Sequence, residues 1–142
     1  MYRPRYFRVE ELVPPEIYQA RGDQAIELMD ERVLVTLDLL REQFGSCVVN
    51  DWCFGGSYEQ SGLRTPDAPE YSYTSQHSFG RAADCKFYNT SAHDARQYVI
   101  RNKHRFKLIS FLEDDVDWFH FDVRNTRPIL LWSAQTGQSK VV

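Results

Sequence analysis

The chain has 142 residues, 42% of them hydrophobic and 26% charged, with a formal net charge of -3. That is enough chain for one compact domain, and the balance is that of a globular protein rather than a disordered one. The acidic balance, with a sequence pI of about 5.8, carries no basic excess of the kind that nucleic-acid phosphates require, so no nucleic-acid partner is expected.

At the N-terminus, residues 2–8 are locally basic and read as part of a frayed end spanning 1–10. No apolar run reaches the length of a membrane span, and the first residues lack the apolar core and cleavage site of a signal peptide. A short helix is expected from Pro14 to Ala20, with prolines in its first turn. From Asp23 to Phe44, apolar residues recur at helical spacing and stop at Gly45, which predicts one or two helices packed on the core. Cys47 to Val49 is a short strand candidate. Cys47, Cys53 and Cys85 are odd in number and fit no zinc-ribbon spacing, so free thiols and synthesis in a reducing cytoplasm are expected.

From Asn50 to Ser78 the chain is rich in Gly, Ser, Tyr, Pro and Asp, and periodicity is lost. A loop of that length inside a compact domain points to function. Ala82 to Tyr88 reads as a strand, and Ser91 to Phe106 as a helix with Ser91 as its N-cap. Three more strands are expected at Leu108–Leu112, Trp118–Val123 and Pro128–Trp132, followed by a polar, mobile tail over 135–142. Helices first and strands later define a single α+β domain over 1–142, with a small, mostly antiparallel sheet and helices packed on one side.

Within this frame, Ser75-Gln76-His77-Ser78-Phe79-Gly80-Arg81-Ala82-Ala83-Asp84 joins an imidazole at the end of a loop to a carboxylate in a strand. Both are ligands for a borderline divalent ion such as zinc. Gly80 permits a tight turn between them. The later strand supplies a third ligand. Alternation puts Phe119, Phe121 and Val123 on one face and Trp118, His120 and Asp122 on the other, with Asp122 placed to support His120. Two histidines and one carboxylate leave a fourth position open, the pattern of a catalytic rather than a structural zinc centre. Cys85, beside Asp84, turns to the opposite face as a buried thiol, and His93 and His104 are read as surface histidines.

The pattern S-x-H-x-x-G-x-A-x-D, complete from Ser75 to Asp84, resembles the first zinc motif of the D-Ala-D-Ala carboxypeptidase family. That family includes phage endolysin peptidases and shares its fold with the hedgehog signalling domain. Asp117, Trp118 and His120 resemble its second motif, an acid three residues before the last histidine. Ser61-Gly62-Leu63-Arg64 resembles a further family turn. The motifs occur in family order from Ser61 to Arg124.

The resemblance implies a hedgehog-type fold and Zn2+ held by His77, Asp84 and His120. It also implies Asp117 as general base and Arg64 as the anchor for a substrate carboxylate. The base in the family is often Glu, so Asp117 is a shorter substitute, and the run Glu113-Asp114-Asp115 offers competing acids. The implied activity is hydrolysis of peptide bonds in peptidoglycan stem peptides, as a carboxypeptidase or an endopeptidase. The implied origin is a phage or prophage, with the protein acting at the cell wall after release or as part of a particle beside other virion proteins. The alternative from the same fold is a non-catalytic module that keeps the metal for stability.

Overall fold

The computed structural model describes all 142 residues, Met1–Val142. Three α-helices, α1 (Pro15–Arg21), α2 (Glu31–Phe44) and α3 (Ala92–Arg101), accompany six strands in one sheet. The strands are β1 (Cys47–Val48), β2 (Ala82–Phe87), β3 (Phe111–Asp114), β4 (Phe119–Asp122), β5 (Leu130–Ser133) and β6 (Ser139–Val141). Their spatial order is β1-β2-β4-β3-β5-β6, and every neighbouring pair is antiparallel except β3 with β5. This is the α+β class with a mostly antiparallel sheet that the order of elements implied.

Side-chain alternation divides the sheet into two faces of different chemistry. Ala83 and Cys85 of β2, Leu112 of β3, Phe119 and Phe121 of β4 and Leu131 of β5 join the hydrophobic core. Val33, Leu34, Leu37 and Leu40 of α2 and Ala95 and Val99 of α3 close that core from the helical side. The opposite face carries Asp84, His120, Asp122, Phe111 and Trp132. The helices lie behind the sheet, and the polar residues stand in front of it.

The helices start and stop where their chemistry dictates. Asp30 caps α2 by accepting a hydrogen bond from the Arg32 amide, and Gly45 follows its last turn. Ser91 caps α3 by accepting from the Asp94 amide. Helix α3 ends at Arg101, five residues before the expected Phe106, because Asn102 turns the chain and donates from Nδ2 to the Tyr98 carbonyl at 2.8 Å. The expected helical stretch from Asp23 divides into a 3-10 segment, Gly22–Leu28, and α2.

Both ends, expected as mobile, have partners. The buried Asp38 carboxylate of α2 accepts from Tyr2 Oη at 2.5 Å and from the Arg5 amide at 2.7 Å, and Phe7 enters the core. At the other end, Ser139–Val141 pairs with Leu130–Trp132, covering what would be the open edge of β5. Its side chains are exposed, so the strand has no hydrophobic signature.

Candidate metal centre

His77 lies in a 3-10 turn, Gln76–Phe79, whose start is capped by Ser75 Oγ accepting from the His77 amide. The turn ends at Gly80 with φ +68°, and a Cβ there would come within 1.9 Å of the Leu28 carbonyl oxygen. Only glycine fits both the left-handed conformation and that approach. Gly62 is constrained by close approach alone, since a Cβ would stand 2.2 Å from the Leu12 carbonyl oxygen. Its own carbonyl lies 2.9 Å from His77 Nδ1. A carbonyl only accepts, so Nδ1 carries the proton and the Nε2 lone pair points forward.

His120 is fixed in the opposite tautomer. Its Nε2 stands 3.3 Å from Asp122 Oδ2, a carboxylate with no exposed surface, so Nε2 donates and, in the neutral imidazole, Nδ1 carries the lone pair. Asp84, directly across from His120 in the β2–β4 register, presents Oδ1 2.8 Å from that Nδ1 and 3.4 Å from His77 Nε2. The two imidazole nitrogens are 3.3 Å apart. Tetrahedral coordination with bonds of about 2.0–2.2 Å separates ligand atoms by about 3.3–3.6 Å. Two sides of the triangle formed by these three atoms have that length, and the third, at 2.8 Å, is the hydrogen bond from His120 to Asp84. While His120 is charged, its Nδ1 donates to Asp84 Oδ1; once that proton leaves, two imidazole lone pairs and a carboxylate oxygen converge, a donor set that suits a divalent cation. The His77/Asp84/His120 group can hold a metal ion.

Electrostatics agree with that arrangement. Burial opposes ionisation of Asp84, yet the hydrogen bonds and charge of His120 and His77 hold its carboxyl far below the usual range. Burial likewise opposes charging of His120, but Asp122 and Asp84 outweigh it and push its pKa up to about 9. The ligand set therefore attracts positive charge, and a proton is the competitor of a metal ion.

Arg64 Nη2 donates to Asp84 Oδ2 at 3.3 Å, on the oxygen turned away from the imidazoles, and Nε donates to the Gln60 carbonyl at 3.2 Å. The Ser61 carbonyl accepts from the Asp84 amide at 2.8 Å. Lys86 Nζ, its pKa lowered by burial, donates to Ser61 Oγ at 2.9 Å and to the Val49 carbonyl at 2.6 Å. The 60–64 turn thus holds His77, Asp84 and Arg64 together.

Arg64, His77, Asp84 and His120 line one cleft of about 730 Å³. Asp117 does not line it. It is exposed and borders an adjoining cleft that shares Arg64, Asp84 and Trp118. The cause lies behind the sheet. Buried Arg96 of α3 donates to the Val116 and Trp118 carbonyls at 3.0 Å each, and Asp115 adopts φ +62°, so the turn before β4 is pinned with Asp117 outward. Strand β4 begins at Phe119, which removes the conflict of alternation between Asp117 and His120.

Glu113 takes the place inside. Strand β3 runs three residues later than expected at its start, and Phe111 and Leu112 pair with Asp122 and Phe121. The same register carried one residue further sets Glu113 across from His120, and Glu113 lines the metal cleft. Its carboxylate has no hydrogen-bond or ion-pair partner, and burial pushes its pKa up. Alternation from Leu112 would have signalled this had the strand been read to its end. Trp132, Ser139 and Arg124, also in the cleft, had no role assigned from sequence. Cys85 is a free, fully buried thiol, and His93 and His104 are exposed, as expected.

Fold and site together define an α+β domain carrying a buried His-Asp-His centre able to hold a metal ion, open to a cleft. No protein-family model, no curated protein and no solved structure matches the chain.

Proposed function

We propose that this chain is a zinc metallopeptidase that hydrolyses peptide bonds in bacterial peptidoglycan stem peptides, on a fold of the hedgehog and D-Ala-D-Ala peptidase type. The convergence of His77 Nε2, Asp84 Oδ1 and His120 Nδ1, within 4.8 Å of one another and inside the complete S-x-H-x-x-G-x-A-x-D pattern, carries this reading. Zinc is the preferred occupant, because two imidazoles and one carboxylate in a compact triangle suit a borderline ion better than the hard cations, which favour more oxygen ligands. When bound, the ion supplies a Lewis acid that polarises a carbonyl and acidifies water.

The residues around it have separable tasks. Gly62 and Asp122 fix the two tautomers. Arg64 binds the outer oxygen of Asp84 and keeps Nη1, which has no partner in the protein, for a substrate carboxylate. Proton transfer needs a carboxylate beside the site, and Glu113 is better placed for it than Asp117. It faces the cleft, is unpaired, and has a pKa shifted toward the pH at which a base works. Trp118 walls the cleft.

A phage or prophage origin, with access to the wall after release or within a particle, accords with this activity. The outward position of Asp117 favours, as a second reading, a non-catalytic zinc-stabilised module of a virion. Mass spectrometry of purified peptidoglycan incubated with the zinc-loaded protein, beside His120→Ala, separates the two. New muropeptides that disappear in the variant are expected, and their masses identify the bond. An unchanged profile with zinc bound favours the module.

A further inference from the structure

We infer that Arg124 forms a second carboxylate subsite, selecting peptides that carry an acidic group two to three residues from the scissile bond. This rests on the peptidase reading and names the substrate feature that the far end of the cleft recognises.

Arg124 follows β4 and lies against the same buried carboxylate that orients His120. Its Nε donates to Asp122 Oδ1 at 2.8 Å and its Nη2 to Asp122 Oδ2 at 2.5 Å. This bidentate pair fixes the guanidinium plane. Its carbon stands 3.7 Å from the Phe111 ring centroid, so the group is stacked as well as paired. Nη1 has no hydrogen-bond partner in the protein, no carboxylate other than Asp122 forms an ion pair with Arg124, and the side chain is 33% exposed. A cation immobilised on two sides with one donor end open to a cleft is organised before any ligand arrives.

Its surroundings define the ligand. Leu130 and Trp132 of β5 and Ser139 of β6 line the cleft with it. Together they offer apolar surface for an aliphatic chain and a hydroxyl beside the guanidinium. Arg64 cannot serve the same subsite. It pairs with Asp84 of β2, whereas Arg124 covers Phe111 of β3, and β4 with His120 lies between them. The two arginines flank the ligand set on opposite sides.

The path from His120 Nδ1 across the ring to Asp122 and on to the Arg124 guanidinium is on the order of 8–10 Å, or two to three residues of extended peptide. Arg64, one contact from Asp84, reads a carboxylate next to the bond. Arg124 reads one further along. A peptidoglycan stem carries such a group in the α-carboxylate of its γ-linked D-glutamyl residue, which some cell walls leave free and others amidate.

The test uses the zinc-loaded protein and two peptides, L-Ala-γ-D-Glu-L-Lys-D-Ala and its D-glutamyl α-carboxamide. Affinity is measured by titration calorimetry, or as KM where the peptide is cut. The free acid is expected to bind about tenfold more tightly, as a charge-assisted contact at a partly exposed site provides. In Arg124→Gln, with zinc loading confirmed, the preference disappears, the ratio of acid to amide affinity falling to about one. Arg124→Lys, which keeps the charge and loses the fork, retains part of it and guards against a folding defect in the first variant. Equal affinities in the wild type, no binding of either peptide, or a preference that survives Arg124→Gln overturns the inference. Failure of the peptidase reading looks different: no bond is cut in peptidoglycan, yet the acid is still preferred and the preference still depends on Arg124.

Discussion

Asp122→Asn tests whether the metal centre depends on the tautomer of His120. The carboxylate is fully buried and accepts from His120 at one oxygen and from Arg124 at both. An asparagine of the same shape replaces one acceptor with an NH2 group. Turned toward His120 and Arg124 Nη2, that group faces two donors. Turned the other way, it faces Arg124 Nε and the Arg124 amide. Either the imidazole moves its proton to Nδ1, which removes a metal ligand, or a buried donor is left unpaired. Losing such a support weakens metal binding by about 10–100-fold, or about 1.4–2.7 kcal/mol.

Competition against a chromophoric chelator measures that loss. The metal-free protein gives a second reading from the same variant. The folded-state pKa of His120, about 9, is above its unfolded value, so its contribution is fully present below about pH 6.5 and is lost as pH rises toward 9. Metal-free wild type is therefore expected to lose stability across that window, by at most on the order of 3 kcal/mol, while zinc affinity rises as the competing proton leaves. Asp122→Asn should flatten the first trend. Zinc affinity within twofold of wild type, or an unchanged pH profile, would mean that Asp122 does not set the His120 tautomer.

Three further outcomes follow from the same geometry. Glu113→Gln should retain zinc and lower turnover by about 10²–10⁴-fold, whereas Asp117→Asn should cost less than about fivefold; the reverse order in steady-state assays returns the base to Asp117. Gly80→Ala places a Cβ against the Leu28 carbonyl in a left-handed turn and should destabilise the fold by about 2–3 kcal/mol, seen as a fall in Tm of about 5–10 °C by calorimetry. Chelation should lower the Tm of zinc-loaded protein, because free zinc at a thousand times its Kd stabilises the fold by about 4 kcal/mol; a Tm unmoved by chelator denies the centre to a tightly bound ion.

The His77, Asp84 and His120 group was legible in the sequence because its constraints are local. Ser75 caps the turn that holds His77, Gly80 ends it, and strand alternation alone sends Asp84 and His120 to one face and Cys85, Phe119 and Phe121 to the other. Which acid faces the cleft was harder to read, because that is decided at a distance. Arg96, on a helix twenty residues earlier, draws in the Val116 and Trp118 carbonyls and turns Asp117 out, and nothing near Asp117 announces that. Glu113 was hidden in an acidic run that reads as a solvated turn until its pairing with β4 and β5 is known. Strand β6 escaped for a related reason. Its backbone does the pairing, and Ser139, Lys140 and Val141 have no buried face to create a period.

The two-faced sheet also limits how this chain can change in length. In β2 and β4, neighbouring residues alternate between packing against helices and facing the cleft, so one inserted or deleted residue inside either strand would exchange the two sets at once. Phenylalanines would enter the cleft and carboxylates the core. Substitutions can be sampled position by position, but frame within a strand cannot drift. Descendants of this sequence should therefore lengthen or shorten in the 50–78 segment and keep the spacing from Asp84 to Phe87 and from Phe119 to Arg124 unchanged, whatever substrate they come to prefer.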